Sequence, residues 1–449
     1  MTLYKKGRSQ LKRQGNEAGI ADLVRAKEQF GPNVHPLTMT FSDDVETLLS
    51  DLSEDFTPLV AGGSVRDAVE GDTAPKDVDI EVHDAPSYQA LTDALRQHGY
   101  PVNEVGKAFG VLKTRLHDGT DIDLSLPRRD NRTGVGHTGF SVEVSPEMSL
   151  EEAGERRDFT INAMYYDHKT HSLIDHHGGF SDFKNGVLRH VSDAYSEDPL
   201  RVLRGMQIAA RFDLKMHPDT VEASKQMVSE FNDLPTERVR EEWYKLFSRG
   251  RDVGHGLAVL KETGWGTPMG LSELRAEDMA RVAKAVETSK RENVSPTVAG
   301  AAAILESVPE DQRSEVASRL TVDNKAKAAA LKIAQMDSRP VSTTRDVRAV
   351  NRALGGKVGL AQWSAAKQNV SSVKPLAMET GMWSRCNSDG SPTVHHDDLV
   401  TGAMILEESG RSPGKWVGDL LKKAHQAEDD EAFVSEEGAR EWLKREFEK

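Results

Sequence analysis

The chain has 449 residues, of which 37% are hydrophobic, and its mean hydropathy is −0.55. These values are typical of a water-soluble protein of about two to four domains, and no apolar run is long enough to span a bilayer. The single cysteine, Cys386, excludes a disulfide framework and a cysteine zinc site, which fits a reducing cytoplasm. The formal net charge of −14 argues against a nucleic-acid partner only if the charge is evenly spread.

The two ends of the chain differ in charge. The first segment, MTLYKKGRSQLKRQG, is basic and lacks the apolar core of a secretory signal, so we interpret it as a flexible arm that can contact RNA. The final segment is strongly acidic, whereas RRDNRTGVGH and RVLRG carry local positive charge. RNA binding is therefore expected to depend on a basic strip, with modest and salt-sensitive affinity.

After a first predicted helix, short strands and helices alternate up to about residue 190. The strand FTPLVA leads into a glycine turn and the helix SVRDAVEG, and the strand DVDIEVH follows. A helix is predicted at SYQALTDALRQHG, and a tight turn at residues 117–119 joins the strands EVGKAFGVLKTRL and TDIDLSLP. This pattern predicts a small mixed sheet with helices on one side. Residues 127–149 lack periodicity, so we expect a mobile functional loop there.

The rest of the chain is predicted to be helical, because apolar residues recur at helical spacing. Helices are expected in EDPLRVLRGMQIAARF and over residues 221–231, 237–248 and 296–336. Loops near residues 339–345 and 384–393 are candidate boundaries between helical subdomains. We find no internal repeat of the length used by solenoid proteins.

Residues 60–82, VAGGSVRDAVEGDTAPKDVDIEV, carry the clearest chemical signal. Asp77 and Asp79 stand two residues apart in a predicted strand, so both carboxylates point to one face. Beside them, the glycine turn opens a helix whose N-terminal N–H groups can bind phosphate. Two carboxylates on one rigid edge can hold Mg²⁺ against a triphosphate, which predicts nucleotidyl transfer. An Asp-x-Asp pair alone is also typical of a solvated strand edge.

Four motifs in a fixed order indicate a family. The segments GGSVRD, KDVDIEV, RRDFTINAM and EDPLRVLRGMQIAARF resemble those of the class II tRNA nucleotidyltransferases and the related bacterial poly(A) polymerases. The resemblance is close between residues 57 and 215. It implies an α+β, polymerase-β-like nucleotidyltransferase head followed by an all-α neck, body and tail. The implied domains are an N-terminal arm and helix at 1–52, the head at 53–190, the neck at 191–260, the body at 261–385 and the tail at 386–449.

The candidate catalytic residues are carboxylates. Asp77 and Asp79 are predicted to bind two Mg²⁺ ions, roughly 4 Å apart, that activate the RNA 3′-hydroxyl and neutralise the departing pyrophosphate. Polymerase-like sites use a third carboxylate from a neighbouring strand. Asp123 is the better candidate for it, and Asp121 on the same strand face is the alternative; both residues are equally compatible with a solvated strand.

A second set of residues is predicted to hold the nucleotide. The pair Gly62–Gly63 lets the backbone approach the phosphates without a Cβ clash, and Arg66 is expected to lie over them as a charged donor. The resemblance implies that Arg157 contacts the incoming nucleotide. It also implies that Asp158 accepts a hydrogen bond from the ribose 2′-hydroxyl, so that a deoxy substrate would leave the carboxylate unpaired. Asn162 is expected to brace this loop.

Asp198 and Arg201 are spaced i, i+3 on a predicted helix, so an acceptor and a forked donor lie side by side. Cytosine and adenine both present an exocyclic amine beside an unprotonated ring nitrogen, whereas uracil and guanine present the reverse order. Polar matching by these two side chains can therefore discriminate by roughly 10⁴. In the family that the chain resembles, this Glu-Asp-x-x-Arg motif selects CTP and ATP. We expect Glu197 to orient Arg201, and Arg204 to reach the phosphates or the RNA.

The predicted function is template-independent addition of C, C and A to tRNA 3′ ends from CTP and ATP, with release of pyrophosphate and with Mg²⁺ as cofactor. The expected partners are the tRNA 3′ end and the two nucleotides, in the cytoplasm and away from membranes. A poly(A) polymerase, a CC-adding or A-adding enzyme, and an RNA-binding protein without catalysis stay open as alternatives. The cluster formed by His395, His396, Asp397 and Asp398 is interpreted as a loop or helix cap. The sequence gives no oligomeric state.

Overall fold

The computed structural model describes residues 17–75, 77–103, 110–132, 140–336, 340–355, 358–379, 383, 399–429, 432–433 and 435–448. The basic arm at residues 1–16, Cys386 and the His395–Asp398 cluster lie outside the described residues. The chain divides into two compact units, Met1–Gly205 with Phe212–Leu234, and Met206–Arg211 with Pro235–Lys449. The predicted fold class, a mixed α/β head and a helical remainder, is confirmed. No helix in the described part of the chain is long and apolar enough to cross a membrane.

The strands all belong to the first unit. In chain order they are β1 (Val34–Pro36), β2 (Thr57–Ala61), β3 (Val78–His83), β4 (Val111–Arg115), β5 (Asp121–Ser125), β6 (Arg128–Arg132), β7 (Phe140–Val144), β8 (Tyr165–Asp167), β9 (Ser172–Ile174), β10 (Val187–Leu188) and β11 (Lys215–Met216). One seven-stranded sheet has the order β1-β9-β8-β2-β3-β5-β4. Within it, only β3 and β5 are parallel neighbours. Two small ladders pair β6 with β7 and β10 with β11.

The helices divide between the units, and α7 has residues in both. Those that lie in or begin in the first unit are α1 (Glu17–Phe30), α2 (Asp43–Leu52), α3 (Gly63–Glu70), α4 (Tyr88–Gln97), α5 (Leu150–Glu155), α6 (Gly179–Asn185), α7 (Leu200–Phe212) and α8 (Pro218–Gln226). The second unit continues with α9 (Thr236–Arg249), α10 (Val253–Glu262), α11 (Ala276–Arg291), α12 (Pro296–Leu305), α13 (Arg313–Leu320), α14 (Asn324–Gln335), α15 (Thr344–Leu354), α16 (Leu360–Ala366), α17 (Val370–Glu379), α18 (Gly402–Ser409), α19 (Lys415–Asp429) and α20 (Glu436–Phe447).

The segment that carries the acidic pair folds as its pattern predicts. Along β3, Val78, Ile80 and Val82 are buried, whereas Asp77 and Asp79 are exposed. Up to Ile80 the strand has one face in the core and one face in solvent, whereas Glu81 and His83, farther along the face that carries Asp79, are buried. The glycine turn, α3, α4 and the antiparallel β4–β5 pair also lie where the sequence predicts them.

Two sequence predictions are wrong in this unit. Residues 127–149 do not form a loop throughout, because β6 and β7 pair antiparallel within this stretch. The strand β6 reads RRDNR, which contains no apolar residue, so it gives no alternation signal. In addition, the stretch before residue 53 holds β1 as well as helices, and β1 pairs with β9 at the edge of the main sheet.

The second unit is organised around α12. Every residue of this helix from Thr297 to Leu305 is buried, as expected for a helix that is apolar on every side. A Cβ added at Gly300 would lie 2.5 Å from the ring of Phe247 on α9, so only glycine permits this close packing. On α11, the buried carboxylate of Asp278 accepts hydrogen bonds from Arg275 and Ser307 and pairs with Arg281 at 2.9 Å.

Candidate active site

The acidic pair meets a third carboxylate across the sheet. The parallel register places Asp79 directly beside Asp123 of β5, and Asp77 just precedes the first residue of β3. Asp79 is open to solvent on one side, but desolvation by the surrounding pocket raises its pKa, and the neighbouring charges of Asp123 and Asp77 raise it further, against Arg157 and Lys113. A divalent cation would stabilise such a concentration of negative charge, because it offsets the repulsion between the carboxylates.

Each carboxylate of β5 has a basic partner on β4. Both oxygens of Asp123 contact the Lys113 Nζ atom, at 2.8 and 2.9 Å, and Asp121 lies 3.8 Å from the Arg115 Nε atom. In the part of the chain that the structure describes, no three His, Cys, Asp or Glu side chains are grouped closely enough to hold a metal by themselves. Mg²⁺ commonly uses one or two carboxylates together with substrate phosphates and water. Asp77 and Asp79 therefore fit such an ion.

The glycine turn lies against this acidic face. Gly62 has φ 74° and ψ −131°, a conformation essentially restricted to glycine, and it directly precedes α3. The first turn of α3 has no side-chain cap and no acidic residue, so its N–H groups suit an anion. A Cβ at Gly62 would lie 3.4 Å from the Arg157 Nη1 atom and 3.8 Å from the Asp79 Oδ2 atom.

Substitution of Gly62 by Ala is expected to lower activity by roughly 100-fold, because a 1 Å displacement of site groups is enough for such a loss. The alanine side chain strains the backbone at this positive φ and brings a methyl group into contact with Arg157 and Asp79. Steady-state kinetics would measure the effect. Gly71 also has a positive φ (122°), but an added Cβ there would meet no described atom within 4 Å, so Gly71→Ala is the control for backbone strain alone. Equal losses in the two variants would contradict a specific role of Gly62.

Arg157 is fixed by a buried acidic residue that the sequence analysis did not single out. Its Nη2 atom donates to Glu81 at 2.8 Å, and its guanidinium lies 5.2 Å from the ring centre of Tyr165. Glu81 also contacts His83 at 2.9 Å and accepts from the Tyr165 hydroxyl at 3.0 Å. Burial alone would raise the pKa of Glu81, but Arg157 and His83 lower it to about 2. Glu81 is therefore an ionised anchor for Arg157.

Four predicted nucleotide-binding residues form one hydrogen-bonded chain. Arg66, only 6% exposed, donates to the Asn162 Oδ1 atom at 2.6 Å and lies 4.5 Å from the ring centre of Phe212. Asn162 donates in turn to the Asp158 Oδ1 atom at 2.9 Å, and Arg204 donates to the Asp158 Oδ2 atom at 2.7 Å. Asn162 thus links Arg66 to Asp158. In the structure, Arg66 and Arg204 thus contact other side chains of the protein.

The Glu-Asp-x-x-Arg segment differs from its prediction in one respect. Asp198 is not helical: its φ of −128° and ψ of 98° are extended, because Pro199 disfavours the helical conformation at the preceding residue. The helix α7 starts at Leu200, whose N–H donates to the Asp198 carboxylate at 3.2 Å. Asp198 and Arg201 therefore do not share one helix face.

Arg201 is held mainly by the backbone. Its two terminal nitrogens donate to the carbonyls of Ala194 (2.6 Å) and Arg156 (2.7 Å). Glu197, which we expected to orient Arg201, instead contacts the side chain of Arg156 at 3.3 Å. Burial lowers the pKa of Arg201, and the charges of Asp158, Asp198 and Glu197 oppose that shift.

These elements enclose a pocket of about 370 Å³ in the first unit. Four of the predicted site residues line it, namely Asp79, Asp123, Arg157 and Arg201. The lining also includes three charged residues to which the sequence analysis gave no role, namely Glu81, Arg128 and Arg156. The other predicted residues do not line this pocket: Gly62, Gly63, Arg66, Asp77, Asp158, Asn162, Glu197, Asp198 and Arg204.

Comparison with known proteins gives two family matches within the chain. Residues 59–189 match the model described as "Poly A polymerase head domain". Residues 213–265 match the model described as "Probable RNA and SrmB- binding site of polymerase A".

The relatives extend this match. The CCA-adding enzyme of Coxiella burnetii is 32% identical over 289 residues, which cover 64% of this chain and 72% of the relative. The chain belongs to the family of CCA-adding enzymes and poly(A) polymerases. The multifunctional CCA protein of Aromatoleum aromaticum is 40% identical over 206 residues, 45% of this chain and 47% of that protein. The matched part of this family member thus spans a little under half the length of the multifunctional CCA proteins.

Solved structures share the fold of this family member. The Thermotoga maritima CCA-adding enzyme complexed with tRNA-CCA has a TM-score of 0.65 and 19% identity, covering 92% of this chain and 99% of that one. The Bacillus stearothermophilus CCA-adding enzyme in complex with CTP has a TM-score of 0.64 and 20% identity, covering 90% and 96%. At this identity, the likeness establishes the fold.

Proposed function

We propose that the protein is a template-independent, CCA-adding tRNA nucleotidyltransferase that uses CTP and ATP and releases pyrophosphate. The observation that carries the proposal is the pocket in which Asp79 and Asp123 face Arg128, Arg156, Arg157 and Arg201. A triphosphate has negative charge that the arginines can pair, and a metal ion held by the carboxylates would supply further positive charge to it. The names of the relatives, and of structures with CTP and tRNA, support the choice of substrates.

We assign the metal site to Asp77 and Asp79. Bound there, Mg²⁺ supplies positive charge that activates the RNA 3′-hydroxyl and stabilises the charge that develops on the transferred phosphoryl group. Arg157 is positioned by Glu81 to donate to the triphosphate, without reorganisation during the reaction. The N–H groups at the start of α3 provide a second site for phosphate oxygens. We also assign contact with the ribose 2′-hydroxyl to Asp158. Four donors, namely the Phe159 N–H, Asn162 and two nitrogens of Arg204, already contact this carboxylate, so the hydroxyl would replace one of the Arg204 contacts.

Base selection is assigned to Arg201, with Asp198 as the accepting partner. The two carbonyl contacts fix the guanidinium plane of Arg201 and use two of its five donors. A donor held in this way can match the unprotonated ring nitrogen of cytosine or adenine. The ring N–H of uracil or guanine would face it as a second donor, which leaves buried polar groups unpaired.

Primer extension tests the proposed function. The substrates are tRNA transcripts that end at the discriminator base, in C or in CC, with CTP and ATP supplied separately and together in the presence of Mg²⁺. Growth by the full CCA, only when both nucleotides are present, is the expected result. Stalling after CC, or extension of the CC-ended RNA alone, would identify a split-activity enzyme. A long ladder with ATP alone would identify a poly(A) polymerase, and no extension at all would favour an RNA-binding protein.

The Arg201→Lys variant is expected to lose base selectivity more than catalytic power. Lysine keeps the positive charge but cannot hold both carbonyls in one plane, so the donor direction is no longer fixed. We expect the ratio of kcat/KM for CTP to that for UTP to fall by about tenfold or more. The matched control is Arg211→Lys, at the other end of the same helix. An unchanged ratio in Arg201→Lys would remove Arg201 from base selection.

The remaining proposals concern organisation and location. We assign the arm together with α1, β1 and α2 to residues 1–52, the head to 53–190, the neck to 191–260, the body to 261–385 and the tail to 386–449. The proposed place of action is the cytoplasm, where tRNA and both nucleotides are available. Fractionation of cells that produce the full chain would test this location.

A further inference from the structure

A row of charged side chains crosses the sheet at the candidate metal site. In the antiparallel register Lys113 of β4 stands opposite Asp123 of β5, and in the parallel register Asp123 stands beside Asp79 of β3. Side chains at paired positions share one face of a sheet. Lys113, Asp123 and Asp79 therefore form one row across three strands, with Lys113 at its outer end. Ala61 of β2 stands next to Asp79 at the inner end.

Lys113 contacts Asp123 in the way that a bound cation would. Its Nζ atom lies 2.8 and 2.9 Å from the two carboxylate oxygens, which is a bidentate contact. Both side chains stay partly exposed, 56% for Lys113 and 40% for Asp123, so the pair can open toward the pocket. An ammonium group and a divalent ion cannot share these oxygens, because their charges repel each other.

We propose that Lys113 is a resident counter-ion that competes with the metal for Asp123 and sets the metal affinity of the site. This inference depends on the metal site that we propose at Asp77 and Asp79, and it adds Asp123 to that site as a third ligand. Lysine is common on edge strands, where it discourages pairing with other sheets, and β4 is the edge strand of this sheet. Protection of the edge requires only an exposed charge, however, and does not account for the bidentate contact with a site carboxylate. Competition with the metal explains both why Lys113 stands beside the candidate metal site and why it pairs with Asp123.

The neighbouring pair on the same two strands gives a matched control. Arg115 stands opposite Asp121 in the same ladder, and the two side chains approach to 3.8 Å. Removing either basic side chain deletes one positive charge from β4, so their general electrostatic effects are similar. Only the residue that blocks a metal-binding carboxylate should change the affinity further. The comparison therefore also distinguishes Asp123 from Asp121 as the additional metal ligand.

The experiment measures Mn²⁺ binding to the full chain without nucleotide, by the loss of the free-ion electron paramagnetic resonance signal. The proteins are the wild type, Lys113→Met, Arg115→Met and Asp79→Ala. We expect Lys113→Met to bind Mn²⁺ about fivefold more tightly than Arg115→Met, because an exposed ion pair has a strength of this order. Lys113→Arg, which keeps the charge, should stay close to the wild type.

The outcomes separate this inference from the proposed function. Equal affinities for Lys113→Met and Arg115→Met would overturn the role of Lys113, even if CCA addition is observed. Tighter binding by Arg115→Met alone would assign the competing role to Arg115 and Asp121. Wild-type binding that Asp79→Ala does not weaken would contradict the metal site itself, and the inference would fail with it. Tighter binding by Lys113→Met, lost when Asp79 is also changed to Ala, is the result that supports the proposal.

Discussion

Replacement of Asp79 by Asn is expected to reduce nucleotidyl transfer by roughly 10³-fold or more while the protein stays folded. The amide keeps the size of the side chain but removes the charge that would hold a divalent ion, which contributes several kcal/mol to the transition state. Asn should not destabilise the fold, because Asp79 is exposed and lies beside two like charges, Asp77 and Asp123. We therefore expect a melting temperature equal to or above that of the wild type.

Single-turnover transfer from CTP to a tRNA transcript measures the first effect, and thermal unfolding followed by circular dichroism measures the second. Asp55→Asn is the control, since Asp55 is an exposed aspartate just before β2, at the end of the strand away from Ala61. It should leave both quantities unchanged. Activity of the Asp79 variant within tenfold of the wild type would refute the assignment of Asp79.

Replacement of Asp158 by Ala is expected to destabilise the first unit by about 3 kcal/mol, a typical cost for breaking a buried ion pair. Asp158 is 6% exposed and accepts from Arg204, Asn162 and the Phe159 N–H. Without it, the buried donors of Asn162 and Phe159 lose their acceptor, the partly exposed Arg204 loses its ion pair, and the chain that continues to Arg66 is interrupted.

The positions of the aromatic residues suggest how to measure this effect. All six tryptophans lie in the second unit, so tryptophan fluorescence in urea follows that unit. Hydrogen exchange of backbone amides in β2, β3 and β8 follows the first. Asp158→Ala should accelerate exchange in these strands, whereas the control Asp278→Ala, which breaks a similar network on α11, should lower the fluorescence midpoint. Unchanged exchange in Asp158→Ala would refute the structural role of this network.

The same residue gives a prediction for acid stability. Burial would raise the pKa of Asp158, but Arg204 and Asn162 lower it from 3.8 to about 2. Because the folded pKa is the lower one, the stabilisation is complete above about pH 4 and is lost as the pH falls toward 2. The loss should be ~2 kcal/mol, less some solvent screening because Arg204 is 38% exposed. Asp158→Asn should therefore show a shallower decrease in first-unit stability over this range, and an identical pH profile would contradict the shifted pKa.

The sequence predicted the parts of the fold that follow local rules. The alternation of Val78, Ile80 and Val82 and the glycines at 62 and 63 determine β2, α3 and β3 without reference to the rest of the chain. Three-residue strands such as β1, β8 and β9 are too short for such a pattern. They form because the strands of the central sheet need hydrogen-bonding partners. Those partners come from distant parts of the chain, so no local pattern indicates them.

The sequence identified many residues of the site but few of the contacts between them. The extended conformation of Asp198 was readable in principle, since Pro199 follows it. Glu81 gave no signal as an isolated glutamate, because its meaning depends on Arg157 and Tyr165, which reach it from distant parts of the chain. The pairing of Lys113 with Asp123 likewise required the register of β4 and β5.

The placement of the pocket residues along the chain has a consequence for the order of assembly during synthesis. The lining extends in sequence from Ala61 to Arg201, and Asp79 meets Asp123 through a parallel pairing of strands that are distant in the chain. Such contacts form late, because a long loop must close before they give any stabilisation. A nascent chain that ends near residue 190 would contain every pocket-lining carboxylate but lack Arg201. On the role in base selection that we propose for Arg201, competence to choose between bases would be acquired after the acidic centre, as the ribosome completes α7.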